Sequence, residues 1–431
     1  MKNPTFVEYR PGCGAEGKVS LPLSKSIAAR ALILSHIYWG KVLLAALPDC
    51  DDTYELWNAL RLLDGNEGQF ERYDLGTGGT SLRFFLAFAA SCPGFEGEID
   101  CSDSLRRRPL APLIDALRSA GADIECIKEE GYTPVKVRGR RLSSLEEGVD
   151  GSMSSQFLSA LMMASEMWKH PFVPDLEGVV SKPYVEMTRK MIVQFRTMAE
   201  SDRGTEIYNI EGDWSSASYF YELAVLVPGK EITLSPLTIP EASLQGDSFC
   251  ARLFARLGVE TGFCEGVGTR ICCDGDVLER LRKEGGGFEA DLNSTPDLVP
   301  ALAVGLCMAD IRFELTGIGH LRHKESDRLA AICCELAKAG YVLKAGPDSL
   351  IWDGEKKPLS VCNDIITFDA HSDHRMVMAL AMSAVKLGRI GIAGAECVSK
   401  SFPGFFDQLE SVGFCAERGA ESIALTLPFE D

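Results

Sequence analysis

One pattern of apolar and polar positions recurs along the chain: an amphipathic helix that ends near a glycine and is followed at once by a short apolar strand. Four copies are clear, at 113–124, 253–259, 336–343 and 406–414. Glycine after a helix adopts the left-handed conformation that lets the chain reverse into a strand. Two weaker copies, at 56–65 and 185–195, lack either a clear strand or the glycine. Six helix–strand units predict an α/β (α+β) fold.

The length of the chain indicates two domains. Its 431 residues exceed one ordinary hydrophobic core, so the six units would be shared as three per domain. The proline-rich stretch 235–240 is the best position near mid-chain for a crossing between domains.

Polar side chains concentrate where the predicted helices begin, and the densest group is 322–328. Six of its seven side chains are charged or titratable, and the apolar helix positions start at Leu329. We expect this helix to begin near Ser326, so that its free N–H groups and positive dipole end favour a phosphate or carboxylate. Taken alone, the run is equally well explained by ion pairs on a solvated surface.

Two helix beginnings in the first half carry cations or glycines. Lys25 and Arg30 flank the start of an alanine- and leucine-rich helix, with Ser26 between them. The glycine-rich turn (76–80) leads into an apolar helix whose only charge is Arg83. The backbone amides of such a turn can approach a phosphate closely. The turn lacks the lysine of a nucleotide-binding P-loop.

Two more helix beginnings follow in the same half. Three arginines, 106–108, precede Pro109, which we expect at the first position of the next helix. At least one of them should point toward the ligand of the neighbouring turn. The other beginning carries uncharged donors, which suit phosphate oxygens; they are Ser152, Ser154, Ser155 and Gln156.

The second half adds a carboxylate and further cations. Asp297 precedes an apolar helix, where it would serve as a general base if nearby cations controlled its pKa. Arg375 follows Asp373 at another apolar helix, and Lys400 lies at a third beginning. Each position also has a plain helix-capping explanation. Capping does not explain a lysine or arginine at so many helix beginnings, so we expect them to converge on one ligand with several anionic groups.

Composition narrows the classes of function. With 44 basic and 62 acidic residues the net charge is -18, which argues against nucleic-acid or anionic-membrane partners. The first ten residues lack the apolar core of a signal peptide, and no apolar run approaches the ~20 residues of a membrane helix. We therefore expect a cytoplasmic protein.

The 15 cysteines and the histidines do not indicate disulfides or metal. No cysteines have Cys-x-x-Cys spacing. We expect them to be reduced core residues, as in the apolar helical surroundings of Cys307, Cys333 and Cys334. No second cysteine or histidine cluster accompanies either close histidine pair, so we expect no metal site; the pairs are His320 with His323 and His371 with His374.

Together the motifs resemble the 5-enolpyruvylshikimate-3-phosphate synthase family, and the match covers nearly the whole chain. The segments that keep the family's order and approximate spacing are 21–30, 76–83, 108–109, 150–157, 181–184, 211–220, 324–328, 373–376 and 400–403. The resemblance implies transfer of the enolpyruvyl group of phosphoenolpyruvate to the 5-hydroxyl of shikimate 3-phosphate, with release of phosphate. It implies no cofactor and no metal.

The resemblance also implies a fold and its boundaries. The family's enolpyruvyl transferase fold has two domains, each of three βαβαββ repeats, with the active site in the cleft between them. We expect residues 1–20 plus 238–431 to form the domain with the acid and base residues, on the phosphoenolpyruvate side. Residues 21–237 would form the shikimate 3-phosphate side. We expect a monomer.

The resemblance assigns roles by position. Phosphoenolpyruvate would be held by Lys25, Gly79, Arg108, Gln156, Arg328, Arg375 and Lys400. Shikimate 3-phosphate would be held by Ser26, Arg30, Ser154, Ser155, Gln156, Ser181 and Lys324, with Tyr184 beside its ring. Asp297 would take the proton of the 5-hydroxyl, and Glu325, with Lys25, would deliver a proton to the methylene carbon. The chemistry requires such an acid and base in one site.

The chain departs from the family pattern at four positions near the expected site. Thr77 and Gly78 stand where the family usually has Asn-Ala, and Phe84 stands where it has proline. Glyphosate occupies the phosphoenolpyruvate site in the family, so these departures bear on sensitivity to it. His320 stands where an asparagine is usual, which bears on its contact with the substrate ring.

Rival functions are disfavoured by single features. The related UDP-N-acetylglucosamine enolpyruvyl transferase typically has Lys-Asn where this chain has Lys25-Ser26, and a loop cysteine that 104–107 lacks. An ATP-dependent ligase or kinase would need the missing P-loop lysine. A non-catalytic phospho-ligand binder is the remaining alternative, and the presence of both Asp297 and Glu325 speaks against it.

Overall fold

The computed structural model describes residues 3–11, 17–65, 69–145, 154–177, 179–264, 266–283, 287–358 and 365–418. The chain forms two compact units. Unit 1 comprises Met1–Pro22 and Gly212–Asp431, and unit 2 comprises Leu23–Glu211.

Strands and helices alternate along most of the chain. The strands are β1 (Thr5–Tyr9), β2 (Lys18–Ser20), β3 (Val42–Leu44), β4 (Glu71–Asp74), β5 (Glu96–Asp100), β6 (Asp123–Cys126), β7 (Val135–Arg138), β8 (Glu206–Tyr208), β9 (Ile232–Ser235), β10 (Val259–Cys264), β11 (Gly268–Cys273), β12 (Phe288–Asp291), β13 (Phe313–Thr316), β14 (Lys344–Ala345), β15 (Ser349–Trp352), β16 (Thr367–Asp369), β17 (Ile390–Ala393) and β18 (Phe414–Glu417).

The α-helices are α1 (Lys25–Ile37), α2 (Asp51–Asp64), α3 (Gly79–Ala90), α4 (Asp103–Arg106), α5 (Ala111–Ser119), α6 (Ser155–Ala164), α7 (Lys182–Ala199), α8 (Trp214–Leu226), α9 (Cys250–Ala255), α10 (Gly275–Lys283), α11 (Val299–Met308), α12 (Arg328–Lys338), α13 (His374–Met382), α14 (Ala384–Leu387) and α15 (Phe405–Ser411). Short 3₁₀ helices cover Ser165–Met167, Gly246–Phe249, Pro296–Leu298, Gly319–His323 and Ala395–Lys400.

The described residues of unit 1 form three four-stranded sheets of one design. Their strand orders are β16-β17-β1-β18, β10-β11-β9-β2 and β12-β13-β15-β14. Each sheet has one parallel pair at one end and two antiparallel pairs. The third sheet reads β12-α11-β13-α12-β14-β15 along the chain, which is a βαβαββ repeat. A parallel pair requires a crossover, and a buried helix provides it.

Unit 2 repeats this design at least once. Its sheet β4-β5-β7-β6 has the same parallel and antiparallel pairs, and α3 and α5 provide the crossovers. A parallel pair, β3 with β8, makes a second sheet among the described residues. Three complete repeats in this unit stay a prediction.

Six helices form the interior of the two units. In unit 1, α8, α11 and α13 pack on one another, and α11 is buried along its whole length. In unit 2, α1, α3 and α6 do the same. A helix that is buried on every side can place polar groups only at its ends without a desolvation penalty. This explains why the conspicuous polar residues of the sequence stand at helix beginnings.

The helix–glycine–strand units form as expected. Gly121, Gly258, Gly340 and Gly413 have φ angles of 103°, 89°, 86° and 104°, each between a helix and the next strand. Gly65, in one of the weaker copies, has the right-handed φ of -80° instead. The strand β4 nevertheless follows that copy, and β8 follows the other.

Two helices begin later than expected. The helix expected near Ser326 starts at Arg328, because Asp327 is its N-cap and accepts a hydrogen bond from Ala330 N at 3.0 Å. The helix expected at Pro109 starts at Ala111, because Leu110 N donates to Gly131 O at 2.8 Å.

The second crossing between units also differs from the expected one. It follows Glu211 rather than lying at 235–240 or after residue 237. The reason is that α8 packs against α11 and α13, while β9 pairs with β2 and β11, so both elements belong to the core of unit 1. The first crossing lies after Pro22, two residues beyond the expected position.

The described cysteines are free thiols. Cys307 is buried as expected, Cys333 is half-buried, and Cys334 is exposed, so the core assignment of Cys334 was wrong. It lies on the outer face of α12. None of the described helices is long and apolar enough to cross a membrane.

Candidate active site

In unit 1, Arg328 joins three carboxylates. It is the first residue of α12, and 1% of it is exposed. Its Nε lies 2.8 Å from Asp373 Oδ2, its Nη1 3.3 Å from Asp297 Oδ1, and its Nη2 3.1 Å from Glu325 Oε2. A planar guanidinium with five donors can serve several acceptors at once. The pKa of Arg328 is raised, because these carboxylates outweigh the opposing effect of burial.

Asp297 lies between two arginines. Its other oxygen, Oδ2, accepts a hydrogen bond from Arg375 Nη2 at 2.7 Å. Burial alone would raise the pKa of Asp297, but the charges of Arg375, Lys324 and Arg328 outweigh burial and hold it well below its usual range. The carboxyl group is therefore ionised at neutral pH.

Glu325 also lies between two cations. Besides Arg328, Lys400 Nζ approaches Glu325 Oε1 at 3.5 Å from the end of the 3₁₀ helix Ala395–Lys400. Lys324 precedes Glu325, and burial lowers the pKa of its ammonium although Asp297 opposes the shift. The cluster thus alternates carboxylates and cations.

His320 stands in the 3₁₀ helix Gly319–His323 near the same charges. Burial and the neighbouring Lys324 lower its pKa to about 4. Its Nε2 is buried and has no hydrogen-bond partner among the residues that the structure describes. The ring is therefore neutral at neutral pH.

A strained turn presents Asp373 and Arg375. Asp373 is the N-cap of α13 and accepts a hydrogen bond from Arg375 N at 3.0 Å. The two residues before it, His371 and Ser372, have φ angles of 51° and 56°. Non-glycine residues in this left-handed region cost about 1–2 kcal/mol each, so other contacts must hold the turn.

Glu335 of α12 supplies those contacts. Its side chain is buried, with Oε1 2.9 Å from His371 Nε2 and Oε2 2.7 Å from Asp369 N. Asp369 Oδ1 in turn accepts a hydrogen bond from His371 N at 2.7 Å. One buried carboxylate thereby holds Asp369, just before the strained turn, and His371, the first of its strained residues.

In unit 2, the beginnings of α1, α2 and α3 meet. Lys25, the first residue of α1, places Nζ 2.9 Å from Asp52 Oδ2 at the start of α2. The backbone oxygen of Asp52 accepts a hydrogen bond from Ser81 Oγ in α3 at 2.7 Å. Asp52 therefore holds the predicted lysine beside the glycine-rich turn.

The glycine-rich turn faces two arginines. A β-carbon added at Gly79, the first residue of α3, would lie 2.8 Å from Arg83 Nη1 and 3.4 Å from Arg108 Nη1. Of the arginine run 106–108, Arg108 thus lies at the turn as expected. Arg106 instead binds Asp100, with Nε 2.8 Å from Oδ1.

The beginning of α6 is tied to that of α3. Ser154 is the N-cap of α6, and its Oγ accepts a hydrogen bond from Gln156 N at 3.4 Å. Gln156 Nε2 donates to Thr80 Oγ1 at 3.0 Å. Ser155 is the first residue of the helix, while Ser152 lies outside the described residues.

Arg30 is buried rather than presented to solvent. Only 2% of it is exposed, and burial lowers the pKa of its guanidinium to about 10. Its Nε donates to Thr188 Oγ1 at 2.7 Å, its Nη1 to Ser26 O at 2.8 Å, and its Nη2 to Tyr184 O at 3.2 Å. The residue therefore ties α1 to the first two turns of α7, where Ser181 is the left-handed N-cap.

The structure thus gathers the expected residues into one cluster in each unit. Unit 1 holds Asp297, Lys324, Glu325, Arg328, Arg375 and Lys400.

Sequence reasoning missed the residues that orient the expected site residues. They are Asp52, Glu55, Thr80, Glu335 and Asp373 as the partner of Arg328. Among these residues, only Asp52 could have been recognised from the sequence, because the acidic pair 51–52 stands at a helix beginning. The described residues include no group of histidine, cysteine and carboxylate side chains arranged to bind a metal.

The family of the chain follows from comparison with known proteins. The family model of EPSP synthase (3-phosphoshikimate 1-carboxyvinyltransferase) matches residues 10–409. The chain belongs to the EPSP synthase family. Members of the family are transferases of the shikimate pathway, so the expected class of enzyme is confirmed.

Curated relatives in the EPSP synthase family match almost end to end. A 3-phosphoshikimate 1-carboxyvinyltransferase from Bacteroides fragilis is 37% identical over 416 residues, which cover 94% of this chain and 97% of the relative. One from Pasteurella multocida is 32% identical, with coverage of 94% and 98%.

Solved structures share the fold. EPSP synthase from Acinetobacter baumannii superposes with a TM-score of 0.67 at 19% identity, over 96% of this chain and all of the other. The enolpyruvyl transferase NikO from Streptomyces tendae gives a TM-score of 0.63 at 14% identity, with coverage of 96% and 99%. The expected enolpyruvyl transferase fold is therefore confirmed.

Proposed function

We propose that this chain transfers the enolpyruvyl group of phosphoenolpyruvate to the 5-hydroxyl of shikimate 3-phosphate and releases phosphate. The observation that carries the proposal is the arrangement around Arg328, where Asp297 and Glu325 each lie between two cations. A reaction that adds one proton and removes another needs an acid and a base in one site, and these two carboxyl groups are assigned to those roles.

The atoms balance as an addition followed by an elimination. A proton adds to the methylene carbon of phosphoenolpyruvate, and the 5-hydroxyl oxygen forms a bond to the neighbouring carbon as its own proton departs. The carbon–oxygen bond to phosphate then breaks, and the former methylene carbon loses a proton. The products are the enolpyruvyl ether and inorganic phosphate.

Asp297 is assigned to take the proton of the 5-hydroxyl. The cations around it lower its pKa, which keeps it ionised but makes it a weak base before substrate arrives. Anionic groups bound to Arg375 and Arg328 would neutralise part of that positive charge and make Asp297 more basic. Substrate binding would thereby activate the base.

Glu325, with Lys25, is assigned to deliver the proton to the methylene carbon. Glu325 is held by Arg328 at 3.1 Å and by Lys400 at 3.5 Å, so its position is fixed by two cations on different elements. Lys25 is held in the other unit by Asp52.

Phosphoenolpyruvate would be bound by cations and by the start of helices. These positions offset the repulsion between two anionic substrates and replace their hydration with fixed charges. The assigned residues are Lys25, Gly79, Arg108, Gln156, Arg328, Arg375 and Lys400.

Shikimate 3-phosphate would be bound mainly by hydroxyl and amide donors at the beginnings of α1, α6 and α7. The assigned residues are Ser26, Arg30, Ser154, Ser155, Gln156, Ser181, Tyr184 and Lys324, together with Asp297 at the reacting hydroxyl. Since the donors of Arg30 bind Thr188, Ser26 and Tyr184, its main contribution would be to fix the residues around it.

The test is phosphate release from phosphoenolpyruvate and shikimate 3-phosphate, with each omitted in turn and no metal or nucleotide added. Release that requires both substrates supports the proposal. Release with UDP-N-acetylglucosamine instead would indicate the sister activity, and binding of both substrates without release would indicate a non-catalytic binder. A monomeric state and a cytoplasmic location stay predictions from the sequence.

A further inference from the structure

The carboxyl group of Glu55 binds two successive amides of the glycine-rich turn. Glu55 lies in α2, one helical turn after Asp52. Its Oε1 accepts a hydrogen bond from Thr77 N at 3.2 Å, and its Oε2 accepts one from Gly78 N at 3.1 Å. Neighbouring backbone amides that converge in this way are a common binding site for anions. Here a side chain of the protein itself occupies them.

The glycines of the turn make room for this side chain. A β-carbon at Gly76, where φ is 48°, would lie 1.8 Å from Glu55 Oε1. A β-carbon at Gly78 would lie 3.1 Å from Glu55 Oε2. Any side chain at 76 or 78 would therefore collide with the carboxyl group of Glu55 or crowd it. The turn and the carboxyl group form one local structure.

Only part of the turn is left for a ligand. Gly76 N donates to Asp74 Oδ1 at 2.9 Å, and the amides of Thr77 and Gly78 are held by Glu55. Gly79, the next residue, starts α3 and lies beside Arg83 and Arg108. The positive groups of this turn are therefore at its helical end.

We propose that Glu55 is a positioning residue that occupies the amides of Thr77 and Gly78, so that the anion of phosphoenolpyruvate meets this turn at Gly79 and the arginines beside it. The inference rests on the proposed function, because it assigns the anion to that substrate. It adds a residue outside the set assigned from the family resemblance. It also accounts for Gly78, one position at which the chain departs from the family pattern, because a β-carbon there would lie 3.1 Å from Glu55 Oε2.

The charge of Glu55 should influence the anion. Burial, and then the adjacent Asp52, raise the pKa of Glu55 to about 8, against the opposing effect of the two amide donors. The other charged groups that face this region are Asp51 on α2, Lys25 on α1, Arg83 on α3, Arg108 before α5 and Asp74 at the end of β4. A protonated Glu55 can still accept the amide bonds but does not repel an anion at Gly79. Deprotonation adds a negative charge within the turn.

The experiment compares wild type with Glu55→Ala and Glu55→Gln over pH 6 to about 9, the range that brackets the raised pKa of Glu55. Glu55→Ala removes both acceptors, so the KM for phosphoenolpyruvate should rise about tenfold while kcat changes much less. In wild type, kcat/KM for phosphoenolpyruvate should fall as pH rises through about 8. This descending limb of the pH profile should be absent in Glu55→Gln. Glu125→Gln, an exposed glutamate on β6 of the same unit, is the matched control and should keep the wild-type profile.

A second measurement does not depend on catalysis. Hydrogen exchange of a peptide that covers the glycine-rich turn should accelerate in Glu55→Ala and not in Glu125→Gln, because the amides of Thr77 and Gly78 lose their acceptor. Unchanged exchange, or a limb near pH 8 that persists in Glu55→Gln, would overturn the inference. If wild type itself releases no phosphate, the proposed function fails, while the exchange experiment still decides whether Glu55 holds the turn.

Discussion

Arg328 and Asp373 form a buried ion pair between the first residue of α12 and the N-cap of α13. Nε and Oδ2 are 2.8 Å apart, and the exposed fractions of the side chains are 1% and 0%. The pair connects two helix beginnings that are 45 residues apart in sequence. Because Asp373 takes one edge of the guanidinium, the remaining nitrogens of Arg328 are directed at Asp297 and Glu325.

Removal of the Asp373 charge should destabilise unit 1. In Asp373→Asn, Arg328 loses its closest buried partner but keeps Asp297 and Glu325, so we expect a loss of about 3 kcal/mol, the lower end for a broken buried pair. Urea unfolding measures this. Glu417→Gln breaks the exposed pair with Arg389 and should leave the transition almost unchanged. Equal effects of the two variants would contradict the importance of burial.

Asp297→Asn and Glu325→Gln should stop turnover while both proteins still bind substrates. Each substitution keeps the shape of the side chain and removes its ability to transfer a proton, so kcat should fall by about 10²–10⁴-fold. Phosphate release measures turnover, and calorimetric titration with shikimate 3-phosphate measures binding. Parallel loss of turnover and binding in Glu325→Gln would reject its role as the acid.

Glu222 should make the protein less stable as pH rises. It is fully buried in α8, its oxygens have no hydrogen-bond partner among the described residues, and burial raises its pKa well above the usual value. Above the ordinary glutamate pKa of about 4.3, the unfolded chain loses this proton while the folded chain keeps it. The free energy of unfolding therefore decreases with rising pH, by about 1.4 kcal/mol for each pH unit. The decrease ends when the pH exceeds the pKa of Glu222 in the folded protein.

The corresponding measurement is the urea midpoint of wild type and Glu222→Gln between pH 5 and about 8, a window that starts above the ordinary glutamate pKa. Glutamine has no proton to lose, so the stability of the variant relative to wild type should increase with pH. Glu260→Gln, on the exposed side of β10, is the control and should show no such trend. A constant difference between Glu222→Gln and wild type would show that Glu222 is ionised in the folded protein.

Loss of the Glu335 carboxylate should impair substrate binding from a distance. Glu335→Gln replaces one acceptor of the His371 and Asp369 bonds by a donor, so the strained turn before Asp373 should relax and Arg375 should move. We expect the KM for phosphoenolpyruvate to rise about 5–10-fold, as for one or two lost hydrogen bonds. Steady-state kinetics measures this, with Glu314→Gln on the exposed face of β13 as the control. An unchanged KM would show that the turn holds its shape without Glu335.

Local features of the sequence predicted much of the fold. The glycines at 121, 258, 340 and 413 stand where helices give way to strands, and the apolar helices lie in the core as their composition indicated. Both features depend on residues within one or two helical turns, which a sequence shows directly. The starts at Arg328 and Ala111 were missed by two residues. The cap Asp327 competes with the neighbouring Ser326, and Leu110 is held by Gly131, a partner that no local pattern reveals.

The sequence by itself determined which residues stand at helix beginnings, and hence which cations and carboxylates could form a site. Only the tertiary structure decided their partners: Asp373 for Arg328, Glu55 for the amides of Thr77 and Gly78. These partners lie 45, 22 and 23 residues apart, on different helices and turns. Their meeting depends on how buried helices pack side by side, and no local periodicity records that packing. The same packing sets burial, and burial together with neighbouring charge decides whether a carboxyl group such as Asp297 or Glu222 keeps its proton.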